Sequence, residues 1–367
     1  MARPLEQSFG QNLSQNLGFG LQAGTQALRF GWYFALKQAI EWQTARNNPA
    51  PHAPKTELRR RLGPSEREIL ADLASLFLRD AMAVREGHFP PLTDAGNPIA
   101  AIQRARAMLA DVPEAFLRRQ TRDTTSARRA AVVQANGADA DLPDYFTQDF
   151  HFQTGGYLTE QSAQIYDVQV ETLFLGGAAP MRREALRPIA AYMRGRDQRK
   201  TVMLDIACGT GRFLRDVRLT YPAMRLTGLD LSASYLAEAR GHMTDLRPAE
   251  LLAGNAEAIP LPDASQDIVT SIFLFHELPP DVRRRVTAEM ARVLKPGGVL
   301  VFIDSLQIGD RPAWDGLLEG FPERFHEPYY RHYAIDDLDA LFSAAGLAPQ
   351  SAWTSFFAKV MVRTKPA

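Results

Sequence analysis

Cysteine is almost absent: Cys208 is the only one in 367 residues. No intramolecular disulfide can form, no Cys-rich zinc site is available, and no metal is expected. A reducing, cytoplasmic setting is the expectation that follows. Net charge is missing too, with 42 Lys plus Arg against 42 Asp plus Glu, so no overall field draws the chain to nucleic acid or acidic lipid. No window approaches the ~20 consecutive apolar residues of a spanning helix. The opening Met-Ala-Arg-Pro-Leu-Glu-Gln lacks the basic start and apolar centre of a secretory signal.

What is present falls into three zones: 1–137, 138–199 and 200–367. The length exceeds one ordinary domain of ~100–200 residues, so two structural parts are expected. The first zone reads as a helical accessory region. After a Gln/Asn/Gly-rich stretch from Ser8 to Gln26, eight large apolar residues crowd between Leu28 and Trp42, broken by Arg29, Lys37 and Glu41. That pattern suits a helix with a broad apolar face. Two readings of residues 9–46 stand open: a helix docked on the rest of the protein, or one lying in a membrane interface with Arg29 and Lys37 snorkelling. A Pro-rich link, 48–55, follows. Ser65 with Glu68 predicts a capping box ahead of Ile69, Leu73, Leu76 and Phe77. A second helix is predicted over 99–120, interrupted near Pro113. Seven arginines between Arg104 and Arg129 are expected to form a solvated face.

The second zone is aromatic, with Tyr145, Phe146, Phe150, Phe152, Tyr157 and Tyr166. Gly155-Gly156 predicts a turn and 160–175 a helix. In the third zone apolar runs at 202–206, 225–229, 268–273 and 299–303 alternate with helical patterns at 213–219, 233–243 and 281–294. Gly297-Gly298 closes the last of these helices. Such alternation predicts a doubly wound α/β fold around a mostly parallel sheet.

The chemistry gathers at Val202–Gly211. A buried strand ends at Asp205, a loop of small residues follows, and a helix starts near Phe213. Gly209 and Gly211 let backbone approach a ligand closely. The third glycine of a dinucleotide site is replaced by Leu214, which argues against NAD. Asp205 instead suits a cationic ligand. Asp230 ends the next strand and is placed to take two ribose hydroxyls. Asn255 could accept from an adenine amino group, and the Ala256 N–H could donate to a ring nitrogen. His276 follows the fourth strand, where open α/β sheets bind ligands; it is expected either to bind substrate or remove a proton, or to cap the strand end. Tyr157 reads either as a lid over substrate or as packing. Cys208 reads as a small loop residue, not a nucleophile.

The ordered stretches DIACGTG, GLDLS, GNAEAIPLPD, DIV…FHELP and RVLKPGGVLVFID resemble the class I, Rossmann-like methyltransferases, in particular the ubiquinone/menaquinone-type small-molecule branch. The resemblance covers about Tyr157 to Asp304. It implies a seven-stranded sheet whose last strands form an antiparallel hairpin, drawn from 352–359 and 360–364. It implies S-adenosylmethionine as cofactor, held by Asp205, Ala207, Cys208, Gly209, Thr210, Gly211, Asp230, Leu231, Asn255 and Ala256, with Phe273 beside them. Tyr166 is similar to the Tyr of a Tyr-Asp pair preceding the sheet in that branch. Asn255 departs from the commoner Asp, and the helix around Trp32 has no counterpart in the minimal family.

The expected acceptor is small or lipid-like and apolar. A protein or RNA acceptor is the alternative; the lack of an Asn-Pro-Pro-Tyr type signature and of basic charge weighs against it. A non-catalytic cofactor-binding scaffold is the reading of another class. The acceptor atom and the oligomeric state stay open.

Overall fold

The computed structural model describes residues 3–47, 63–92, 98–135 and 142–367. The 48–55 link and the boundary at 137/138 lie outside them.

Helix α1 (Arg3–Asn47) is one continuous element of 45 residues. It runs through the Gln/Asn/Gly-rich stretch because its stability comes from packing on neighbours. Those neighbours are α2 (Glu66–Arg85), α3 (Pro98–Thr121) and α5 (Glu160–Leu173); α4 (Ser126–Ala135) follows α3 in the chain. The docked face is largely polar. Gln22 and Gln26 donate from their Nε2 atoms to Asp80 Oδ2 at 2.6 and 2.7 Å, and Arg183 pairs with the same carboxylate. Arg29 pairs with Glu171 at 3.0 Å, so it is spent on this joint and does not snorkel. Apolar packing is added where Leu36 meets Ala105, Met108, Ile165 and Val168, and where Phe30 lies against the main core.

The capping box forms: Ser65 Oγ accepts from the Glu68 N–H at 3.2 Å while Glu68 accepts from the Ser65 N–H at 2.7 Å. Pro113, expected to interrupt its helix, does not. Proline removes the N–H that would bond the carbonyl four residues back. Here that carbonyl, of Leu109, accepts from Gln43 Nε2 of α1 at 3.1 Å, so α3 continues through the proline. The arginine-rich face is also less solvated than its composition suggested. Arg118 is buried, donates to the Phe152 carbonyl at 3.0 Å, and faces Asp111.

Short helices α6 (Ala178–Arg183) and α7 (Leu186–Met193) lead into the sheet. The sheet comprises β1 (Val202–Ile206), β2 (Arg225–Asp230), β3 (Glu250–Ala253), β4 (Gln266–Ile272), β5 (Leu294–Ser305), β6 (Ala348–Ser355) and β7 (Ala358–Thr364). Its order is β3-β2-β1-β4-β5-β7-β6. The first five strands pair in parallel, and β7 is antiparallel to both β5 and β6. Between the strands lie α8 (Arg212–Thr220), α9 (Ala233–His242) and α10 (Pro280–Val293). β1, β4 and β5 are buried almost throughout, as continuous apolar runs between two helical layers should be. Pairing of β5 with β4 begins at Leu294, slips out through Gly297 at φ +74°, and resumes at Val299.

Candidate active site

A cleft opens at the carboxyl ends of β1, β2, β3 and β4, where the chain leaves each strand. β1 exits into Ala207 and Gly209, β2 into Asp230 and Leu231, β3 into Gly254, Asn255 and Ala256, and β4 into Phe273 and Leu274. Two of these residues hold left-handed backbone without being glycine: Ala207 at φ +54° and Phe273 at φ +58°. Such conformations cost free energy and gather at sites whose backbone must face a ligand.

Two glycines in the β1–α8 loop serve different purposes. Gly209, at φ +54°, turns its N–H onto Asp230 Oδ2 at 2.8 Å, and a Cβ there would meet nothing nearer than 4.0 Å. Gly211, at φ +72°, leaves no room: an added Cβ would lie 2.9 Å from Ala239 Cβ. Gly209 shapes the cleft, whereas Gly211 seats α8 against α9.

The opposite wall comes from the aromatic segment before α5. Tyr157 is stacked on Phe150 at 5.5 Å and meets the edges of Tyr166 and Tyr235 at 6.0 and 5.5 Å. Its hydroxyl donates to Glu277 Oε1. The wall is pinned to the start of α9, where Ser232 Oγ donates to the Tyr157 carbonyl at 2.5 Å and Ser234 Oγ to the Leu158 carbonyl at 2.9 Å. Tyr145, Phe146, Phe150, Tyr157, Tyr166 and Tyr235 all face the cleft.

Of the residues expected at the site, Tyr157, Tyr166, Ala207, Gly209, Asp230, Leu231, Asn255, Ala256 and Phe273 line this cleft together. Asp205, Cys208, Thr210, Gly211 and His276 stand behind its surface. Asp205 is buried and accepts from Thr270 Oγ1 at 2.6 Å. Thr210 Oγ1 donates to Asp167 Oδ1 at 2.7 Å, and Arg212 Nε donates to Asp167 Oδ2 at 2.7 Å. Cys208 is buried and burial pushes its thiol up, which suits a packing role. The Asn255 side-chain carbonyl already accepts from the Glu257 N–H at 2.9 Å.

Electrostatics separate these groups. Burial raises Asp205 to about 7 and Asp230 to about 6; the Thr270 bond and backbone N–H groups offset this only in part. No basic side chain among the described residues appears in either balance, so both carboxylates are short of a cation. His276 is the reverse. Burial alone would lower it, but Asp304, 2.6 Å from Nδ1, with Glu277 and Glu327, lifts it to about 10. The surrounding acids favour its protonated form, and its Nδ1 is held by Asp304.

Glu277 is the residue that sequence reasoning missed. It is the acid of the FHELP stretch that reaches the cleft, because the 3₁₀ turn Phe275–Glu277 sends His276 inward onto Asp304 and its neighbour outward. A periodicity argument has no purchase on so short a turn.

Residues 203–298 match a family described as a methyltransferase domain. A demethylmenaquinone methyltransferase of Listeria monocytogenes is 38% identical over 129 residues, covering 34% of this chain and 53% of that protein. A ubiquinone/menaquinone biosynthesis C-methyltransferase of Methylobacterium nodulans is 33% identical over 165 residues, covering 44% of this chain and 63% of that protein. The chain spans about half the length of the first of these relatives. Among solved structures, human N-acetylserotonin methyltransferase in complex with its cofactor is 16% identical with a TM-score of 0.48, over 71% of this chain and 70% of that one. Residues 203–298, which hold the glycine loop and the strand-end carboxylates, thus match a methyltransferase domain, and the chain is similar in part to demethylmenaquinone and ubiquinone/menaquinone methyltransferases.

Proposed function

We propose that this protein transfers the methyl group of S-adenosylmethionine to a small, lipid-like acceptor with a planar ring. The observation that carries the reading is the cleft itself: the glycine loop and Asp230 form one wall, and a continuous aromatic surface forms the other. The names of the relatives point to quinone precursors as the acceptor class.

The residues fit the cofactor on a physical ground. Asp230 in the cleft and Asp205 behind it put negative charge beside this pocket, and a ligand carrying an ammonium and a sulfonium would offset that charge without touching either carboxylate. Asp230 would take the ribose hydroxyls, and the backbone at Ala256, with Asn255, the adenine edge. Ala207 and Gly209 would hold the amino acid part, with Asp205 supporting the loop from behind. Tyr166, Leu231 and Phe273 would close the sides. When bound, the cofactor supplies an electrophilic methyl on a good leaving thioether. The protein's own contribution is alignment and the exclusion of water, which the aromatic wall provides. Calorimetric titration should give binding of S-adenosylmethionine and S-adenosylhomocysteine and none of NAD. A folded protein that binds neither thioether ligand overturns the reading.

A peripheral membrane contact through residues 9–46 is the second part of this proposal. No helix among the described residues is long and apolar enough to cross a membrane. The outward stripe of α1, however, carries Leu17, Leu21, Leu28, Trp32 and Trp42, all exposed, with Arg46 over the Trp42 ring at its end. At 1.5 Å per residue it extends about 37 Å, and tryptophan suits the headgroup level. Sedimentation with phosphatidylglycerol-containing vesicles should be lost on combining Trp32→Ser with Trp42→Ser. Failure of the wild type to sediment rules this contact out, and a dimer split by the same substitutions would assign the stripe to a second copy.

A further inference from the structure

The FHELP stretch places three acids around one imidazolium, and only one of the three reaches the cleft. His276 is held through Nδ1 by Asp304 Oδ1 at 2.6 Å, and its Nε2 lies 3.8 Å from Glu277 Oε1. Asp304 is fully buried and has its other oxygen on the Phe275 N–H at 2.6 Å, so it is committed to this turn. Glu327 is buried behind the turn and faces His151 at 3.2 Å. Glu277 alone lines the cleft, among Tyr157, Phe146, Leu274 and the cofactor-side residues Asp230 and Gly209.

Resting on the methyltransferase reading above, we propose that Glu277 faces the cofactor's sulfonium as its counter-charge and takes the proton of an acceptor ring hydroxyl, with His276 as its positioning residue. Loss of the O–H proton to Glu277 leaves an electron pair on the acceptor, which forms the new bond to the methyl. The methyl–sulfur bond breaks with both electrons staying on sulfur. The sulfonium and Glu277 carry one positive and one negative charge before the step and neither after it. A water-poor site is thus never asked to hold an isolated charge, which would be costly there. Aromatic faces on Phe146, Phe150 and Tyr157 suit a planar hydroxylated ring in this position. His276 is not the base: it is already protonated by its acidic neighbours and serves by fixing the turn.

The groups facing Glu277 are His276 on its own turn, Asp304 on β5, Tyr157 from the aromatic wall, Tyr166 on α5, Asp230 on β2 and Glu327 from the C-terminal part of the chain. Burial pushes Glu277 up, His276 and the Tyr157 hydroxyl pull it down, and Asp304 and Asp230 raise it again, with the balance upward. Asp205 and Asp230 also titrate near neutrality. Asp230 faces a part of the cofactor that S-adenosylmethionine and S-adenosylhomocysteine share and Asp205 stands behind the surface, so a comparison of the two ligands cancels both and isolates the group that senses the sulfonium.

The experiment is calorimetric titration of the full chain with both ligands from pH 5.5 to 8.5. The preference for S-adenosylmethionine over S-adenosylhomocysteine should rise by about tenfold with pH, one more proton being released with the sulfonium ligand than with the thioether. In Glu277→Gln the ratio should be flat while both ligands still bind. In Tyr157→Phe, which removes a bond that holds Glu277 down, the midpoint should move to higher pH. With 1,4-naphthalenediol as acceptor under reducing conditions, Glu277→Gln should turn over at least a hundredfold more slowly. A flat ratio in the wild type overturns the sulfonium-facing assignment, and unchanged turnover in Glu277→Gln overturns the proton transfer. A wild type inactive on the diol overturns the acceptor class. If the folded wild type binds neither ligand, the methyltransferase reading falls first and this one with it.

Discussion

Thr210 Oγ1 hydrogen-bonds Asp167 Oδ1 at 2.7 Å, joining the glycine loop after β1 to α5, 43 residues earlier in the chain. Asp167 also takes Arg212 Nε, so one carboxylate fixes both the loop and the first residue of α8.

That double role makes Asp167 a sensitive position. Burial alone would raise its carboxyl, but Arg212, His242 and the Thr210 bond hold it at about 2, below the ordinary range. A depressed carboxylate stabilises the fold fully above the unfolded value near 4 and loses its contribution as pH falls toward 2. Asp167→Asn should cost about 2–3 kcal/mol at pH 7, with Arg212 left part-buried and less well paired. The gap between wild type and variant, measured by urea unfolding, should close between pH 4 and 2.

Asp230 has the opposite sign. Burial lifts it to about 6, so its ionisation weakens the cofactor-free fold as pH rises through that value. Cofactor binding needs the same ionised carboxylate, each of its charge-assisted bonds contributing about 1.5–3 kcal/mol. Asp230→Ala should therefore bind S-adenosylhomocysteine at least tenfold more weakly, and wild-type affinity should strengthen between pH 5 and 7. Titration calorimetry across that range checks both statements; unchanged affinity in the variant would put the ribose elsewhere.

Helix α1 has two unlike faces. Leu36 is 7% exposed against Ile165 and Val168, whereas Leu28 is 79% exposed. Leu36→Ala should cost about 2–3 kcal/mol of stability and Leu28→Ala less than about 0.5 kcal/mol. Thermal unfolding of the two variants side by side would show it, and equal losses would mean the outward stripe is covered in solution.

The two loop glycines can be told apart by the same substitution. Gly209→Ala meets only the left-handed backbone penalty, about 1–2 kcal/mol. Gly211→Ala meets that penalty and a Cβ placed 2.9 Å from Ala239, so its loss should exceed the other by about 1–3 kcal/mol. Chemical denaturation of both variants decides it.

Much of the sheet could be read in advance because its strands are buried on both faces and spell unbroken apolar runs. Val202–Ile206 is legible for that reason, as is the helix after it. Glu250–Ala253 does not announce itself as a strand, since it sits at the sheet edge with its end residues exposed and no apolar run to mark it. Within the site, backbone-shaping residues such as Gly209 and strand-end Asp230 announce themselves by type and position. Glu277 does not, because which of two adjacent polar residues turns toward a cleft depends on a 3₁₀ turn held by Asp304, 27 residues later. Pro113 misled for a similar reason: the cure for its missing N–H is Gln43, on a different helix.

Asp149, fully buried at the base of the aromatic wall, accepts from the backbone N–H groups of Ser126 and Ala127 at 2.9 and 2.6 Å. The next residue, Phe150, lines the cleft. The aromatic wall therefore cannot swing outward without stripping the first turn of α4 of its acceptor. Opening and closing of the cleft becomes visible at two amides that touch no ligand. Deuterium uptake at Ser126 and Ala127 would act as a built-in gauge of how long the wall stays shut.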